Sequence, residues 1–412
     1  MNLKRKLWWA QHKADVYKYG TILSLVLIVT ISIIYFTYSK FTSKNEMTAY
    51  ETTVEPFIKN DYFIASYIDG EWSNEIPGKD DGYVVDKIVC DNGATGTWDN
   101  DEWGINIRNA TKKIKCSVYF IVKPLSVTEK ITTLATTDTT NFATDDADNN
   151  IRYIGANPNN YVYFNCSDYN NQSDSTCEKW RIIGVFKNMT KSNGSKEDLV
   201  KIIRDDRLGN ISWDSTNGND WSTATLQTTL NGEYYNGTYA IGALKNDSTR
   251  NAIESVVWNL GGTESYTSAS NGLASHFYGY ERGTTVYSGR PTTWTGKVGL
   301  MYPSDYGYAT SGGSTTNRAA CLAKELYNWK NSDVSDCKNN DYLFKSSYYQ
   351  WTLVHNSSSS DVVFGVNAKG YVSNNGVRGT GGVLPAAFLK FNILISEVGN
   401  GSSESPFQLK VG

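Results

Sequence analysis

The sequence predicts an α+β chain in three parts: one N-terminal transmembrane helix, a small all-β domain and a large mixed domain. Three observations carry this. No side chain from Tyr19 to Ser39 is charged. Residues 103–107 and 114–122 alternate in polarity along the chain. From residue 151 onward, short apolar runs and amphipathic stretches follow in the order β-β-β-α-α, long loops, α, then β-β-β, an α+β succession.

The charge-free stretch TILSLVLIVTISIIYFTYS is dense in Leu, Ile and Val. At about 1.5 Å per residue it spans roughly 30 Å, the thickness of a bilayer core. Residues 20–39 therefore form the predicted membrane span, with the lipid bilayer as partner. Lys4, Arg5, Lys6, Lys13 and Lys18 precede it, which predicts that residues 1–19 stay in the cytoplasm and the bulk of the chain lies outside. Trp8, Trp9, Tyr17 and Tyr19 flank one end and Tyr35, Tyr38 and Phe41 the other, as interfacial anchors do. A cleaved signal peptide is the competing reading. Its apolar region is normally shorter, and no A-x-A-like site follows.

Residues 40–60 read as a polar stalk and 61–123 as a small β-sandwich-like spacer. In the spacer, Ile114, Cys116, Val118, Phe120 and Val122 alternate with their neighbours, as do Trp103, Ile105 and Ile107. The run YVVDKIVC ends on Cys90, which can staple it to Cys116. Residues 124–150, rich in Thr and Asp, read as a linker or extended entry strand.

Residues 151–412 form the large domain. Tyr161, Tyr163 and Phe164 precede Cys166, and Trp180, Ile182, Ile183 and Val185 follow Cys177, which predicts a hairpin with a disulfide across its neck. Leu199, Val200, Ile202 and Ile203 make a third strand. Ser222 can cap a helix carrying Leu226 and Leu230. Further helices are expected over 246–258 and around 317–329, and strands at 351–354, 362–366 and 383–389. Loops as long as those between them usually carry function.

The chain has 412 residues, with 20% charged, 13% aromatic and a net charge of −3. Residues 1–44 hold seven cations against Asp15, a net of +6, leaving −9 for the rest. Such an acidic remainder offers no electrostatic reason to bind nucleic acid. Six cysteines, Cys90, Cys116, Cys166, Cys177, Cys321 and Cys337, fall into three local pairs, and sequential pairing is the simplest connectivity. Six reduced, buried thiols are the alternative.

Trp221-Ser222-Thr223-Ala224-Thr225-Leu226, then Leu230-Asn231 and Tyr234-Tyr235, resembles the helix entry of bacterial membrane-anchored C-type-lectin-fold surface proteins. These are related to the formylglycine-generating-enzyme, or sulfatase-modifying-factor, fold and include targets of diversity-generating retroelements. Val298-Gly299-Leu300-Met301 with Ser304-Asp305-Tyr306 resembles one of their strands. Gln350-Trp351-Thr352-Leu353, a Ser/Asn-rich stretch, then Gly382-Val383-Leu384-Pro385-Ala386-Ala387 resembles their C-terminal pattern, over about residues 150–390 in all. Leu384 stands where the family has Arg, and Val354-His355 where it has Arg-Ser. The resemblance implies a C-type-lectin-like C-terminal domain that recognises a glycan or protein through an exposed loop face. There it offers His355, Asn356, Ser358, Asp361, Asn367, Tyr371, Asn374, Asn375 and Arg378. Tyr, Asn, Ser and Arg together are what adaptable paratopes use, and a solvated loop is the plainer reading. Residues 278–282 are a second candidate for that face.

Enzymatic members of the fold use three His around iron or a Cys pair around copper. The chain has only His12, His276 and His355, and Cys321 and Cys337 read better as a structural disulfide. No G-x-S-x-G elbow frames a Ser beside either later His. No catalytic role and no cofactor are expected, the alternatives being a sulfatase-modifying-type or cell-wall-acting enzyme and a purely structural envelope protein. Calcium has one candidate site, Asp214, Asn217, Asn219 and Asp220 in WDSTNGNDW, where oxygen ligands surround a Gly. The same residues are ordinary turn formers.

Overall fold

A computed structural model describes residues 3–42, 62–110 and 113–411. The chain divides into two compact units, one ending at Lys123 and the other running from Pro124 to Gly412.

In the first unit, Leu3–Thr42 is one continuous helix. Its stretch His12–Ile31 is long and apolar enough to cross a membrane by length and composition, and it overlaps the predicted 20–39 span over residues 20–31. The predicted stalk lies outside the described residues beyond Thr42.

The β part of this unit is a four-stranded sheet in the order Glu71–Ser73, Tyr62–Ile68, Ile114–Val122, Tyr83–Cys90. The two central strands run parallel and the outer ones antiparallel. The hairpin Thr95–Asp99 with Gly104–Arg108 covers one face. The alternation in 114–122 decides which side chains meet it: Cys116, Val118 and Phe120 are buried with Ile105, against half-buried Trp98 and Trp103. Trp98 meets both Trp103 and Phe120 edge-on, at centroid distances of 5.3 and 5.4 Å. A Cβ on Gly96 would lie 2.6 Å from the Ile88 side chain, so glycine lets the hairpin sit this close to the sheet. Cys90 faces Cys116 across the ladder, and the two are joined as a disulfide.

The second unit holds two larger sheets. In the first, Val298–Gly299, Ala386–Phe388, Lys196–Arg204, Glu178–Thr190, Ile151–Tyr153 and Phe142–Ala143 lie side by side, and Tyr161–Phe164 pairs with the other end of Glu178–Thr190. The central hairpin buries side chains on both faces; Ile182, Leu199 and Ile202 are fully buried, and so is Lys201. Its register shifts between Ile182 and Gly184, where a Cβ would lie 2.0 Å from the Ile151 carbonyl oxygen. The predicted hairpin with a disulfide across its neck is present, as Cys166–Cys177.

In the second sheet the order is Asn210–Ser212, Thr380–Gly382, Gln350–His355, Val362–Val366, Val372–Gly376. Its middle strand is buried along its whole length.

Several predicted elements change. The supposed linker at 124–150 contains the helix Val127–Thr137, closed by a capping box in which Ser126 Oγ accepts from the Glu129 N–H and Glu129 accepts from the Ser126 N–H. Val127 and Ile131 are buried in the large core. The helix expected over 246–258 is only Asp247–Ala252; Val256–Asn259 is a strand paired with Thr293–Gly296, as two adjacent valines and a Trp favour. The helix expected around 317–329 splits into Arg318–Leu322 and the 3₁₀ turn Leu326–Lys330. Ser222 does not cap the next helix: it bonds Asp220, and Thr225–Thr229 starts after Ala224. The strand expected at 383–389 is shortened to Ala386–Phe388, because 380–382 belongs to the other sheet and Pro385 has no N–H to give the ladder.

Candidate functional site

The nine residues proposed for one recognition face separate into three groups. His355 and Asn356 are buried. Burial and then the Arg290 guanidinium lower His355 to about 4, and its Nε2 accepts from the Tyr287 N–H. His276 Nδ1 likewise accepts a backbone N–H, from Leu273. Neither buried residue of the nine belongs to an exposed face, because the middle strand carrying His355 is covered on both sides.

The second group lies at one end of the hairpin Val362–Val366/Val372–Gly376. Ser358 donates to Asn356 Oδ1, Asp361 Oδ1 accepts from Ser359 Oγ, and the Arg378 carbonyl accepts from Ser212 Oγ. The candidate calcium ligands stand here. Asp214 spends one oxygen on the Thr225 N–H and the other on the Gly218 N–H and Thr216 hydroxyl. Asn219 Nδ2 donates to the carbonyls of Asn356, Ser359 and Val362, while its Oδ1 accepts from Arg290. Asp220 binds Ser222 and lies 3.8 Å from Arg290, and Asn217 reaches Asp361 at 3.4 Å. These side chains lock two loops together, and the positive group among them is a guanidinium. Among the described residues no group of three or more His, Cys, Asp or Glu could hold a metal ion.

In the third group, Asn367 and Tyr371 stand at the other end of the hairpin, roughly 14 Å along a strand, while Asn374 faces Phe364 midway and Asn375 faces Val363 one residue from the first end. The turn from Asn367 to Tyr371 closes there, with Gly370 at φ +78°. The Gly370 carbonyl accepts from the buried Tyr306 hydroxyl at 2.9 Å, which fixes the turn to the core. Tyr371 leaves this turn half-buried, its ring 5.6 Å from Tyr327 and edge-on. Tyr327 meets Tyr266 edge-on at 5.8 Å, and Tyr266 rests on buried Phe364 at 5.0 Å. The Lys330 ammonium sits 3.4 Å from the Tyr327 ring centre and 5.1 Å from that of Tyr371. Tyr266 donates to Asn374 Oδ1 at 3.4 Å, whereas the exposed Asn375 leaves the strand on the opposite face, its Oδ1 accepting from the Gly376 N–H.

No protein-family model matches the chain, and no curated protein or solved structure matches it significantly.

Three separate segments thus build one half-exposed cluster of Tyr266, Tyr327, Tyr371, Lys330 and Asn374. The Leu326 N–H bonds the Gly272 carbonyl, tying two of these segments together, and the Cys321–Cys337 disulfide brackets the turn that bears Tyr327 and Lys330. Those two sulfurs are bonded to each other rather than held as a free thiol pair. Edge-to-face rings held by their neighbours, with an ammonium and an amide beside them, can stack on a flat apolar surface and bond its polar rim. The cluster contains no nucleophile with an adjacent base. Tyr266 sits in a loop and Tyr327 and Lys330 in a one-turn 3₁₀ segment, and nothing local in the sequence brings them to Tyr371.

Residues 278–282 line a different feature. Glu281 is fully buried, and Tyr278 donates to Asp148 Oδ2 at 2.5 Å at the edge of a cleft of about 260 Å³ that also includes Asn150, Lys187 and Arg282.

Proposed function

We propose that the chain is a surface recognition protein. It is anchored by its N-terminal helix, keeps residues 1–19 in the cytoplasm, and binds a glycan or protein ligand outside without chemistry. The observation that carries this reading is the Tyr266–Tyr327–Tyr371 cluster with Lys330 and Asn374, a rigid aromatic surface with polar groups beside it. All six cysteines are paired, as suits an oxidising compartment. The C-type-lectin-like reading of residues 150–390 belongs to the same proposal; its motif residues Trp351, Val383, Ala386 and Ala387 are all buried in one unit.

The test is a binding screen of the full chain, reconstituted in lipid nanodiscs, against glycan, peptidoglycan and protein panels with and without EDTA. A hit that persists in EDTA supports the metal-free aromatic site. A hit lost in EDTA moves the site to the 214–220 loops, and no hit on any panel defeats the recognition reading.

A further inference from the structure

The hairpin of the small β unit covers only one face of its four-stranded sheet. On the opposite face, the pairing register brings Phe63 beside Lys115, and Tyr67 beside both Tyr119 and Trp72. Lys87 pairs with Tyr119 from the next strand. Trp72 is 61% exposed and Phe63 56%, and the aliphatic Val89 and Ile121 are exposed on the same face. Tyr67 and Tyr119 stack at 4.6 Å. The Lys87 ammonium lies 4.6 Å from the Tyr119 ring centre and that of Lys115 lies 5.6 Å from Phe63, so both cations stand among the rings. Soluble surfaces rarely leave so contiguous an aromatic face open.

The chemistry of this face selects among occupants. Its paired positions carry aromatic, aliphatic and ammonium side chains, with Ser117 the one small hydroxyl, and carboxylates stand at its margin: Asp86 at the register shift and Asp91, whose Oδ1 accepts from the Lys115 N–H. A sugar would find rings to stack on, but the paired positions of this face offer no amide or carboxylate to fix the sugar's hydroxyls in register. Anionic headgroups above an acyl boundary match it better. Trp, Tyr and Phe settle at that depth, and Lys stems lie along apolar surface while their ammonium groups reach phosphate. The position in the chain agrees. The sheet begins at Tyr62, and the helix that carries the candidate span His12–Ile31 ends at Thr42. Residues 43–61 can span no more than about 65 Å, at about 3.4 Å per residue, so the unit stays close to any bilayer that holds the helix.

We propose that the open sheet face of Phe63, Tyr67, Trp72, Tyr119, Lys87 and Lys115 docks on the surface of the bilayer in which the N-terminal helix is anchored, with anionic headgroups as its ligands. This rests on the anchoring half of the proposed function. The small unit is then a foot that seats the molecule on the membrane. Both Lys ammonium groups are drawn to an anionic surface, and the rings add burial.

The test reconstitutes the full chain in phosphatidylcholine vesicles with and without phosphatidylglycerol and measures hydroxyl-radical modification of Trp72, Tyr67 and Tyr119 by mass spectrometry. Trp72 is expected to be modified several-fold more slowly in the wild type than in the K87E/K115E variant in phosphatidylglycerol vesicles. Equal rates overturn the proposal. Protection that grows with the protein-to-lipid ratio assigns the face to a second copy, and protection that persists in amphipol without lipid assigns it to another part of the chain; either outcome also overturns it. Retention on the vesicles through an alkaline wash is scored separately. A chain that washes off has failed as an anchored protein, whereas a retained chain with unprotected Trp72 has failed only as a seated one.

Discussion

Arg152 Nη1 lies 3.0 Å from Asp305 Oδ1, and both side chains are essentially out of water. The other Asp305 oxygen is 2.5 Å from Lys201 Nζ, and Arg152 also reaches Asp146 at 2.6 Å. Strands Ile151–Tyr153 and Lys196–Arg204 thereby clamp the buried helix Pro303–Ala309. Burial pushes the Asp305 carboxyl up, but Lys201 and Arg152 pull harder, and it stays below the usual carboxylate range.

Removing one member of a buried ion pair strands the rest. Asp305→Ala is expected to cost about 3–5 kcal/mol in the second unit, read as a lower urea midpoint. An unchanged midpoint would mean the cations find other partners.

That clamp also shows where sequence reading stops. Arg152, Lys201 and Asp305 come from distant segments, and no local pattern links them. Alternation in 114–122, by contrast, anticipates the burial of Ile114, Cys116, Val118 and Phe120, though Val122 at the strand's end is exposed, and local cysteine spacing anticipates the three disulfides. Some readable signals were outweighed. Ser126-Val127-Thr128-Glu129 has the spacing of a capping box, and Val127, Ile131 and Leu134 keep helical spacing, yet abundant Thr and Asp made the segment look like a linker. At the candidate site, Tyr371 and Asn374 came from the family resemblance. The burial of His355 and Asn356 depends on how the second sheet is covered, which sequence does not display.

Two buried groups give opposite pH dependence. Burial raises Glu281 from the ordinary 4.5 to about 7, against the lowering pull of Arg282 and Ser304. Its protonated form therefore favours the fold, a contribution fully present below about 4.5 and lost as pH rises through about 7. His355, held at about 4, favours the fold when neutral, and that contribution is lost as pH falls from 6.5 through about 4. Glu281→Gln should gain stability over wild type between pH 5 and pH 8, by up to about 3 kcal/mol, and His355→Gln should lose less than wild type between pH 7 and pH 4. Urea melts at those pH values check both signs; parallel wild-type and variant profiles would contradict them.

The Cys321–Cys337 bridge closes a segment with a sequence separation of 16. Replacing both cysteines with Ala is expected to cost about 2–4 kcal/mol. Because the bridge brackets Leu326–Lys330, hydrogen exchange should also quicken at Tyr327 and Lys330. Unchanged exchange there would show that Leu326 packing alone holds the turn.

The central claim is that Tyr371 and Asn374 belong to a working recognition surface. The most direct measurement takes whichever ligand the screen yields and compares its affinity for wild type, Tyr371→Ala and Asn374→Ala, with urea midpoints checked for each. A tenfold or greater loss, about 1.4 kcal/mol, in a variant that melts like wild type is the predicted result. Undiminished affinity in both folded variants would contradict it and send the site elsewhere on the molecule.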